Sequence, residues 1–397
     1  MKAGWKLTTL GDSFTTVTGN TPPKNNGGLF GSFMPLVKPP ELCDAELDTS
    51  EDGLSELGVP FARTVPPNSI LVSCIGNLGK IGLNTVPVAF NQQINAILPD
   101  ARKALPRFMF FQVLSCTFKD QLESMASGTT VPIVNKSKFN SIQIVLPPLS
   151  EQKRIVALLD EAFAHIATAK ANAEQNLQNA RALFESHLQS VFSRRNKGWL
   201  NKPLGDCVNA ISTGPFGSLL HKSDYVFGGT PLVNPINIAG EEIVSNPNKT
   251  VSTETVDRLH AYKLRENDIV IARRGEIGRC AVVQKDQSGW LCGTGCFIIR
   301  PSKSTDPHYL THLLRSAHYR KQLEGVSDRA TMPSISNSDL SSLVVVLPPI
   351  TEQLNFLERI KLLSTETQRL ESIYQQKLSA LDALKKSLLH QAFSGQL

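Results

Sequence analysis

The chain has 397 residues, of which 41% are hydrophobic and 19% are charged, so it is long enough for two domains and too apolar for a disordered protein. Lys and Arg number 41 against 35 Asp and Glu, and the resulting net charge of +6 is too small to identify a polyanion as the ligand. No run of 18 apolar residues occurs, and the first residues lack the apolar segment of a secretory signal, so we expect no membrane span and no export. Seven scattered cysteines are not typical of a disulfide framework, and we expect a reducing, cytoplasmic location.

One sequence repeat of about 195 residues occurs twice. Four pairs of segments carry it: GWKLTTLGD (4–12) with GWLNKPLGD (198–206), NSILVSCIGNLGKIG (68–82) with NDIVIARRGEIGRCA (267–281), TTVP (129–132) with ATMP (330–333), and IQIVLPPLSEQ (142–152) with LVVVLPPITEQ (343–353). The distance between matched segments grows from 194 to 201 residues along the chain, so the insertions lie in the first part of each repeat.

The first part of each repeat, about 145 residues long, contains short apolar runs separated by Gly, Pro and Asn. Residues 70–73 and 269–272 are examples, and this pattern predicts strands joined by tight turns. We also predict one helix over residues 107–125 and its counterpart over residues 308–326.

The second part of each repeat opens with a strand that runs into Pro-Pro and continues as a long helix. Pro147 and Pro148 end the strand because proline disfavours the helical conformation of the residue before it. Ser150 then offers a side-chain cap, and Glu151 lies in the first turn, where the helix dipole favours a carboxylate. About 42 residues without proline or glycine follow. The second repeat has the same pattern, with Thr351, Glu352 and a predicted helix over 352–394 in place of 151–193.

Both predicted helices have a stripe of residues spaced by four and three, which is typical of the seam of a coiled coil. The main seam residues of the first helix are Ile155, Leu159, Ile166, Ala173, Asn176 and Leu183. Those of the second are Ile360, Thr367, Leu370, Tyr374, Leu381 and Leu388. An amphipathic helix that packs on a globular core is the alternative interpretation.

The two seams favour antiparallel pairing, because the alanines of the first helix then meet large residues of the second. With Ile155 opposite Leu388, Ala169 meets Tyr374 and Ala180 meets Leu363, so small and large side chains alternate as close packing requires. The same register places Asn176 opposite Thr367, a polar pair that would fix the register.

The repeated LPPLSEQ and LPPITEQ elements, together with TGNTPP (18–23) and the ending LLHQAFSGQL (388–397), resemble the specificity subunit of type I restriction–modification enzymes over the entire chain. The resemblance implies an α+β protein with two similar mixed α/β target-recognition domains and two long antiparallel helices that form a coiled-coil spacer, with an internal pseudo-twofold repeat. The expected segments are domain 1 (1–149), spacer helix 1 (150–193), domain 2 (194–350) and spacer helix 2 (351–397).

The resemblance also implies a prokaryotic, non-catalytic chain in which each recognition domain reads one half of a bipartite double-stranded DNA sequence. Two methyltransferase subunits would bind S-adenosylmethionine and modify adenine, and restriction or motor subunits would use ATP and magnesium. No cofactor or metal is expected in this chain itself.

Polar residues on predicted loops are the candidates for DNA contact, because Arg, Lys, Asn and Gln read phosphates and base edges. In the first repeat they are Lys24, Asn25, Asn26, Lys38, Asn77, Lys80, Asn91, Gln92, Gln93, Lys136 and Lys138. In the second they are His221, Lys222, Asn234, Asn237, Arg273, Arg274, Arg279 and Arg329. Arg273 and Arg274 are the strongest candidates, because they stand where the first repeat has Cys74 and Ile75. The alternative for each residue is an ordinary solvated loop position.

Two other classes of function compete with DNA reading. A self-contained enzyme such as a nuclease is disfavoured, because the sequence has no phosphate-loop, methyltransferase or zinc motif and no catalytic set. The other alternative is a coiled-coil protein-interaction scaffold without DNA specificity. Salt would discriminate between them, since DNA affinity falls steeply as the salt concentration rises.

Overall fold

The computed structural model describes residues 2, 4–23, 28–128, 130–193, 198–216, 219–326 and 334–397, and only the backbone of 191–193. Its contacts divide the chain into two units. Unit 1 consists of Met1–Gln175 and Tyr374–Leu397, and unit 2 consists of Asn176–Ile373. Each long helix is therefore shared between the units, whereas the sequence suggested separate helical segments.

Unit 1 has mixed α/β structure. Its strands are β1 (Lys6–Thr9), β2 (Thr15–Thr18), β3 (Phe30–Val37), β4 (Ala45–Leu47), β5 (Gly53–Leu54), β6 (Thr64–Val65), β7 (Ile70–Ser73), β8 (Ile81–Asn84), β9 (Val88–Phe90), β10 (Ile94–Leu98) and β11 (Gln143–Leu146). Its helices are α1 (Leu10–Ser13), α2 (Pro106–Leu114), α3 (Cys116–Ser124), α4 (Lys136–Asn140) and the first part of α5 (Leu149–Ser193). The strands form a five-stranded sheet (β2-β10-β7-β8-β4), a four-stranded sheet (β5-β3-β9-β6) and the pair β1-β11.

Unit 2 has the same plan. Its strands are β12 (Leu200–Pro203), β13 (Val208–Thr213), β14 (Tyr225–Val226), β15 (Thr230–Val233), β16 (Ile238–Ala239), β17 (Glu242–Ile243), β18 (Thr250–Val251), β19 (Ile269–Ala272), β20 (Cys280–Val282), β21 (Leu291–Cys292), β22 (Cys296–Pro301) and β23 (Val344–Leu347). Its helices are α6 (Thr253–Arg258), α7 (Pro307–Arg315), α8 (Ala317–Val326), α9 (Asn337–Ser342) and the first part of α10 (Ile350–Ser394). The sheet β13-β22-β19-β20 corresponds to β2-β10-β7-β8, and the pair β12-β23 corresponds to β1-β11.

Each helix predicted over 107–125 and 308–326 is in fact two helices. The break falls at Ser115 in unit 1 and at Ser316 in unit 2, whose backbones are extended. Ser115 Oγ accepts a hydrogen bond from the N–H of Phe118 and so caps α3. A serine in this position offers the backbone an alternative to a continuous helix, which explains the break.

The long helices are confirmed, and each begins two residues before its predicted start. Ser150 and Thr351 therefore lie inside the first turn, and their predicted role as caps is wrong. The N–H groups of Glu151 and Gln152 instead bond to the carbonyl of Pro148, 2.9 and 3.0 Å away.

The glutamine of the repeated LPPxxEQ element fixes the start of each long helix. Gln152 is completely buried; its Oε1 accepts from the N–H of Leu105 at 2.9 Å, and its Nε2 donates to the carbonyls of Lys103 and Pro147, both at 2.9 Å. Gln353 makes the same three bonds, with the N–H of Asp306 and the carbonyls of Ser304 and Pro348. The motif therefore joins the strand, the helix and the preceding loop in each unit.

The ends of the long helices belong to the cores of the globular units. In unit 1, Ile155 and Leu159 of α5 pack in one cluster with Leu389 and Phe393 of α10. The Phe393 ring lies 5.3 Å from that of Phe108 on α2. In unit 2, the core cluster contains Phe356 and Ile360 of α10, and Phe184 and Leu188 of α5 pack against it.

The helices run antiparallel within each unit, as predicted, but the register differs. Lys170 Nζ pairs with Asp382 at 2.8 Å in unit 1, and Arg181 pairs with Glu371 at 2.7 Å in unit 2. The predicted register opposes Ala169 to Tyr374, and therefore Lys170 to Ile373, so the observed partner of Lys170 lies about two and a half helical turns further along α10. Docking of Leu389 and Phe393 into the core of unit 1 sets this register.

Most of the predicted seam residues are buried or half-buried, and two are exposed. On α5, the buried seam residues are Ile155, Leu159, Ile166 and Ala173. On α10, Ile360 is buried, and the half-buried seam residues are Thr367, Leu370, Tyr374, Leu381 and Leu388. Asn176 is exposed and Leu183 is 69% exposed, whereas Leu177 and Phe184 turn inward. An α-helix drifts away from a strict seven-residue repeat, so the buried stripe moves by one position. The predicted pairing of Asn176 with Thr367 does not form.

Candidate nucleic-acid interface

Three loop segments meet at one end of the main sheet of unit 1. The turn between β7 and β8 begins at Cys74, whose N–H donates to the carbonyl of Gln93 in the β9–β10 loop at 2.8 Å. The carbonyl of Cys74 accepts from the N–H of Val134 at 2.9 Å, and Gly76 donates to the carbonyl of Pro132 at 3.0 Å. Residues 132–134 are thus held against the turn.

Unit 2 has the same arrangement at the matched residues. The N–H of Arg273 donates to the carbonyl of Gly295 at 2.9 Å, and its carbonyl accepts from the N–H of Ile335 at 3.1 Å. The repetition of SCIGNLGK and ARRGEIGR therefore corresponds to a repeated loop junction.

A short 3-10 helix adds a fourth segment to each junction. In unit 1, Pro39–Glu41 follows β3, and Asn91 donates to the carbonyl of Val37 at 3.1 Å. In unit 2, Pro235–Asn237 follows β15, and Gly293 donates to the carbonyl of Val233 at 2.7 Å. The residue before each 3-10 helix is a sequence candidate, Lys38 or Asn234, and its N–H bonds to the side chain of the third helical residue.

A Thr-Gly pair at the end of the first strand of each main sheet completes the junction. Gly19 donates to the carbonyl of Ile94 at 3.1 Å, and Gly214 donates to that of Cys296 at 3.0 Å. A Cβ at Gly19 would collide with the backbone oxygens of Phe90 and Asn91, and one at Gly214 would collide with that of Gly293. Glycine is required here because the two backbones touch.

We refer to these five segments as the convergent face of each unit. In unit 1 they are residues 18–19, Pro39–Glu41, 74–80, 91–93 and 132–134; in unit 2 they are residues 213–214, Pro235–Asn237, 273–279, 293–295 and 334–335. The sequence candidates Lys24, Asn25, Asn26 and Arg329 lie outside the described residues.

The unit 1 candidates differ in how free their side chains are. Asn77 and Lys136 are exposed, and Lys80 is half-buried. The other candidate side chains have partners within the protein: Lys38 with Asp52, Asn91 with Gln93, Gln92 with Thr21, and Lys138 with the carbonyl of Met125. Asn91 is also buried and bonds to Gln93, so its amide shapes the β9–β10 loop, and its contact with DNA stays a prediction.

In unit 2, three asparagine and arginine candidates support the face from within. Buried Asn237 donates to the carbonyl of Val244 at 2.9 Å and accepts from the N–H of Asn234, so it has a structural role, and its DNA contact stays a prediction. Arg279 pairs with Glu276 and donates to the carbonyls of Ile238 and Pro235 at 3.3 and 3.4 Å.

His221 and Lys222 are exposed at a separate 3-10 helix, Lys222–Asp224, which is not among the five segments.

The two neighbouring arginines of unit 2 have different surroundings. The guanidinium of Arg273 lies 5.3 Å from the centre of the Phe297 ring, and its Nε is buried without a partner among the described residues. Burial, together with the charge of Arg274, lowers the pKa of Arg273. Arg274 is exposed at the edge of the turn. The side chain of Arg274 thus faces solvent, whereas that of Arg273 packs against Phe297.

Sequence reasoning missed the role of Gln152 and Gln353, although the signal was present in the repeated LPPxxEQ element. A glutamine that recurs at the same place in both repeats, beside a strand end, indicates a polar group with a fixed structural partner. The fold positions these residues at the base of each helix, not on the convergent face.

The described residues hold no cluster of three or more His, Cys, Asp or Glu side chains that could bind a metal ion. Within that same part of the chain, no helix has the length and apolar character needed to cross a membrane.

Comparison with known proteins identifies the family. Residues 2–179 and 196–379 match the family model of the type I restriction modification DNA specificity domain. The specificity subunit of the type I restriction enzyme EcoKI of Escherichia coli K12 is 22% identical over 416 residues, which cover 99% of this chain and 89% of that subunit. The HindI specificity subunit of Haemophilus influenzae is 29% identical over 170 residues, only 41% of this chain and 37% of that subunit.

Two solved structures share the fold. A chain from a study of complex assembly and conformational transition of the type I R-M system has a TM-score of 0.78 at 20% identity, with 100% of this chain and 99% of that chain covered. The HsdS subunit of Thermoanaerobacter tengcongensis has a TM-score of 0.64 at 20% identity, with 100% and 98% covered. Since the family model matches both repeats and the fold agrees over the full length, the chain belongs to the type I restriction–modification DNA specificity family.

Proposed function

We propose that this chain is the non-catalytic specificity subunit of a type I restriction–modification complex, and that each convergent face reads one half of a bipartite DNA target. The observation that carries the proposal is the repetition of the face. Five segments meet through equivalent backbone hydrogen bonds in both units, while the side chains at matched positions differ.

The differences have the chemistry that sequence discrimination needs. Arg273 and Arg274 of unit 2 match Cys74 and Ile75 of unit 1. Base pairs are distinguished by their patterns of hydrogen-bond donors and acceptors and by the thymine methyl group. Two faces with one backbone framework and different side chains would therefore read different bases.

The charge distribution supports DNA binding by the second unit more than by the first. Residues 193–349 contain 19 Lys and Arg against 14 Asp and Glu, a net charge of +5, whereas residues 1–149 contain 12 against 11. Phosphate contacts provide most of the affinity that does not depend on sequence. We expect the second unit to contribute more of it.

Methyl transfer and DNA cleavage would take place on partner subunits. Two methyltransferase subunits would supply S-adenosylmethionine and modify adenine, and restriction or motor subunits would supply ATP- and magnesium-dependent steps. The role of this chain is to place those subunits at one sequence.

The test is to map methylated adenine at base resolution in a host that carries this chain with its neighbouring methyltransferase gene, and in the same host without this chain. We expect a bipartite motif with an unread gap that appears only when the chain is present. If no adenine motif depends on the chain, the proposal fails, and the scaffold alternative predicts that binding to partner proteins persists with little dependence on salt.

A further inference from the structure

One apolar side chain projects from the convergent face of unit 2. Ile236 is the middle residue of the 3-10 helix Pro235–Asn237, and 82% of its surface is exposed. Single exposed apolar residues are common on protein surfaces, so exposure alone indicates nothing. Ile236 differs from such residues because its backbone is held rigidly and because it lies on the convergent face.

The backbone that presents Ile236 is fixed on both sides. Asn237 is buried, accepts from the N–H of Asn234 at 3.0 Å and donates to the carbonyl of Val244 at 2.9 Å. Arg279 donates to the carbonyls of Pro235 and Ile238, which flank Ile236. The Pro235 ring lies so close to Gly295 that a Cβ there would collide with it. The side chain is therefore held outward before any ligand binds.

The grooves of B-DNA expose one apolar group on the base edges, the C5-methyl group of thymine in the major groove. We infer that Ile236 contacts a thymine methyl group in the half-site that unit 2 reads. This inference rests on the proposed function, because it assumes that the convergent face meets DNA. Ile236 would then determine specificity through apolar packing against a base, whereas its polar neighbours would do so through hydrogen bonds.

The residue of unit 1 that matches Ile236 differs from it, as expected if this position discriminates between DNA sequences. Lys38, Pro39, Pro40 and Glu41 occupy the same positions as Asn234, Pro235, Ile236 and Asn237, so Pro40 stands where Ile236 projects. Proline has a smaller, ring-bound side chain that reaches less far. The two units thus present different apolar groups from the same framework.

The experiment uses the complex of this chain with its methyltransferase subunits and a duplex that contains the mapped target. Each thymine of the unit 2 half-site is replaced in turn by deoxyuridine, which removes only the methyl group. For the wild-type complex we expect one replacement to weaken binding about fourfold, the effect of one buried methyl group. For Ile236→Ala, the same replacement should change the affinity less than about 1.5-fold.

Phe227→Ala is the matched control. Phe227 is 80% exposed and lies before β15, at the opposite end of that strand from Asn234. We expect this variant to keep the wild-type response to deoxyuridine. Ile236→Val has a shorter apolar side chain at the same position, and we expect this variant to keep part of the wild-type response to deoxyuridine.

Three results would overturn the inference while leaving the proposed function intact. They are a unit 2 half-site without thymine, wild-type binding that no deoxyuridine alters, and an equal loss in the wild type and in Ile236→Ala. Failure of Ile236→Ala to assemble with the methyltransferase subunits would also overturn it, since Ile236 would then serve a protein contact. If the wild-type complex shows no preference for any sequence, it is the proposed function that fails.

Discussion

At the scale of single residues, buried polar side chains do most to organise this protein. Gln152 and Gln353 each satisfy three backbone groups at the junction between a strand and a long helix. Asn237 bonds to two backbone groups within the convergent face of unit 2, and Asn91 bonds to the side chain and the backbone N–H of Gln93 in that of unit 1. A buried polar group is costly unless all its partners are present, so such residues favour one geometry over its alternatives.

Replacing Gln152 with Leu tests this role. The N–H of Leu105 and the carbonyls of Lys103 and Pro147 would lose their partner, and we expect a loss of about 3 kcal/mol in the free energy of unfolding. Urea denaturation followed by circular dichroism measures it. Gln178→Leu, at an exposed position of the same helix, is the control and should change stability by less than about 0.5 kcal/mol. Equal effects of the two substitutions would contradict the assignment.

Glu151 predicts a pH dependence of stability. Hydrogen bonds from Arg154 and Lys2 lower the pKa of Glu151 from 4.5 to about 2. The folded state therefore favours the charged carboxylate, and this stabilisation is complete above about pH 4.5 and lost as the pH falls toward 2. The difference in unfolding midpoint between wild type and Glu151→Gln should be constant near neutral pH and shrink below pH 4.5. If the difference in unfolding midpoint does not change with pH, the ion pairs of Glu151 contribute nothing to stability.

At the scale of elements, the long helices act as parts of the globular cores. The first turns of α5 and the last turns of α10 share one cluster in unit 1, and Lys170 and Asp382 continue the contact along the helices. Close packing between antiparallel helices needs small residues opposite large ones. Ala173, only 1% exposed, is one of these small residues.

Ala173→Phe should overpack the contact between the helices. We expect a destabilisation of about 1–3 kcal/mol, because the larger side chain forces its neighbours from their preferred rotamers. The melting temperature of the purified chain reports the change. Ala171→Phe places the same side chain at an exposed position of the helix and should have little effect. Unchanged melting of Ala173→Phe would exclude a tight seam at this position.

At the scale of the whole molecule, the proposed function divides the recognition of DNA between two units with one framework. Each unit has its own hydrophobic core, its own sheet pair and its own convergent face. Since units with separate cores can diverge independently, the half-sites need share no sequence.

Exchange of residues 193–349 for the matched segment of another family member should therefore change one half of the methylated motif. The other half and its adenine position should remain, because unit 1 is untouched. Base-resolution mapping of methylated adenine measures both halves in one experiment. A change in both halves, in a complex that still methylates DNA, would show that the units do not read independently.

The sequence by itself determined the repeat, the long helices and the existence of a seam, because these depend on local patterns: proline pairs, uninterrupted helix-forming residues and periodic apolar positions. Sequence patterns also located the turns at 74–80 and 273–279. The tertiary structure decided which segments meet there, since the hydrogen bonds from Cys74 to Gln93 and from Arg273 to Gly295 join residues far apart in the chain. It also decided that Asn91 and Asn237 are buried, that the seam drifts from Asn176 to Leu177, and that the helix register follows the docking of Phe393. Local propensity carries no information about such long-range packing, and the side chains that face a ligand are selected by that packing.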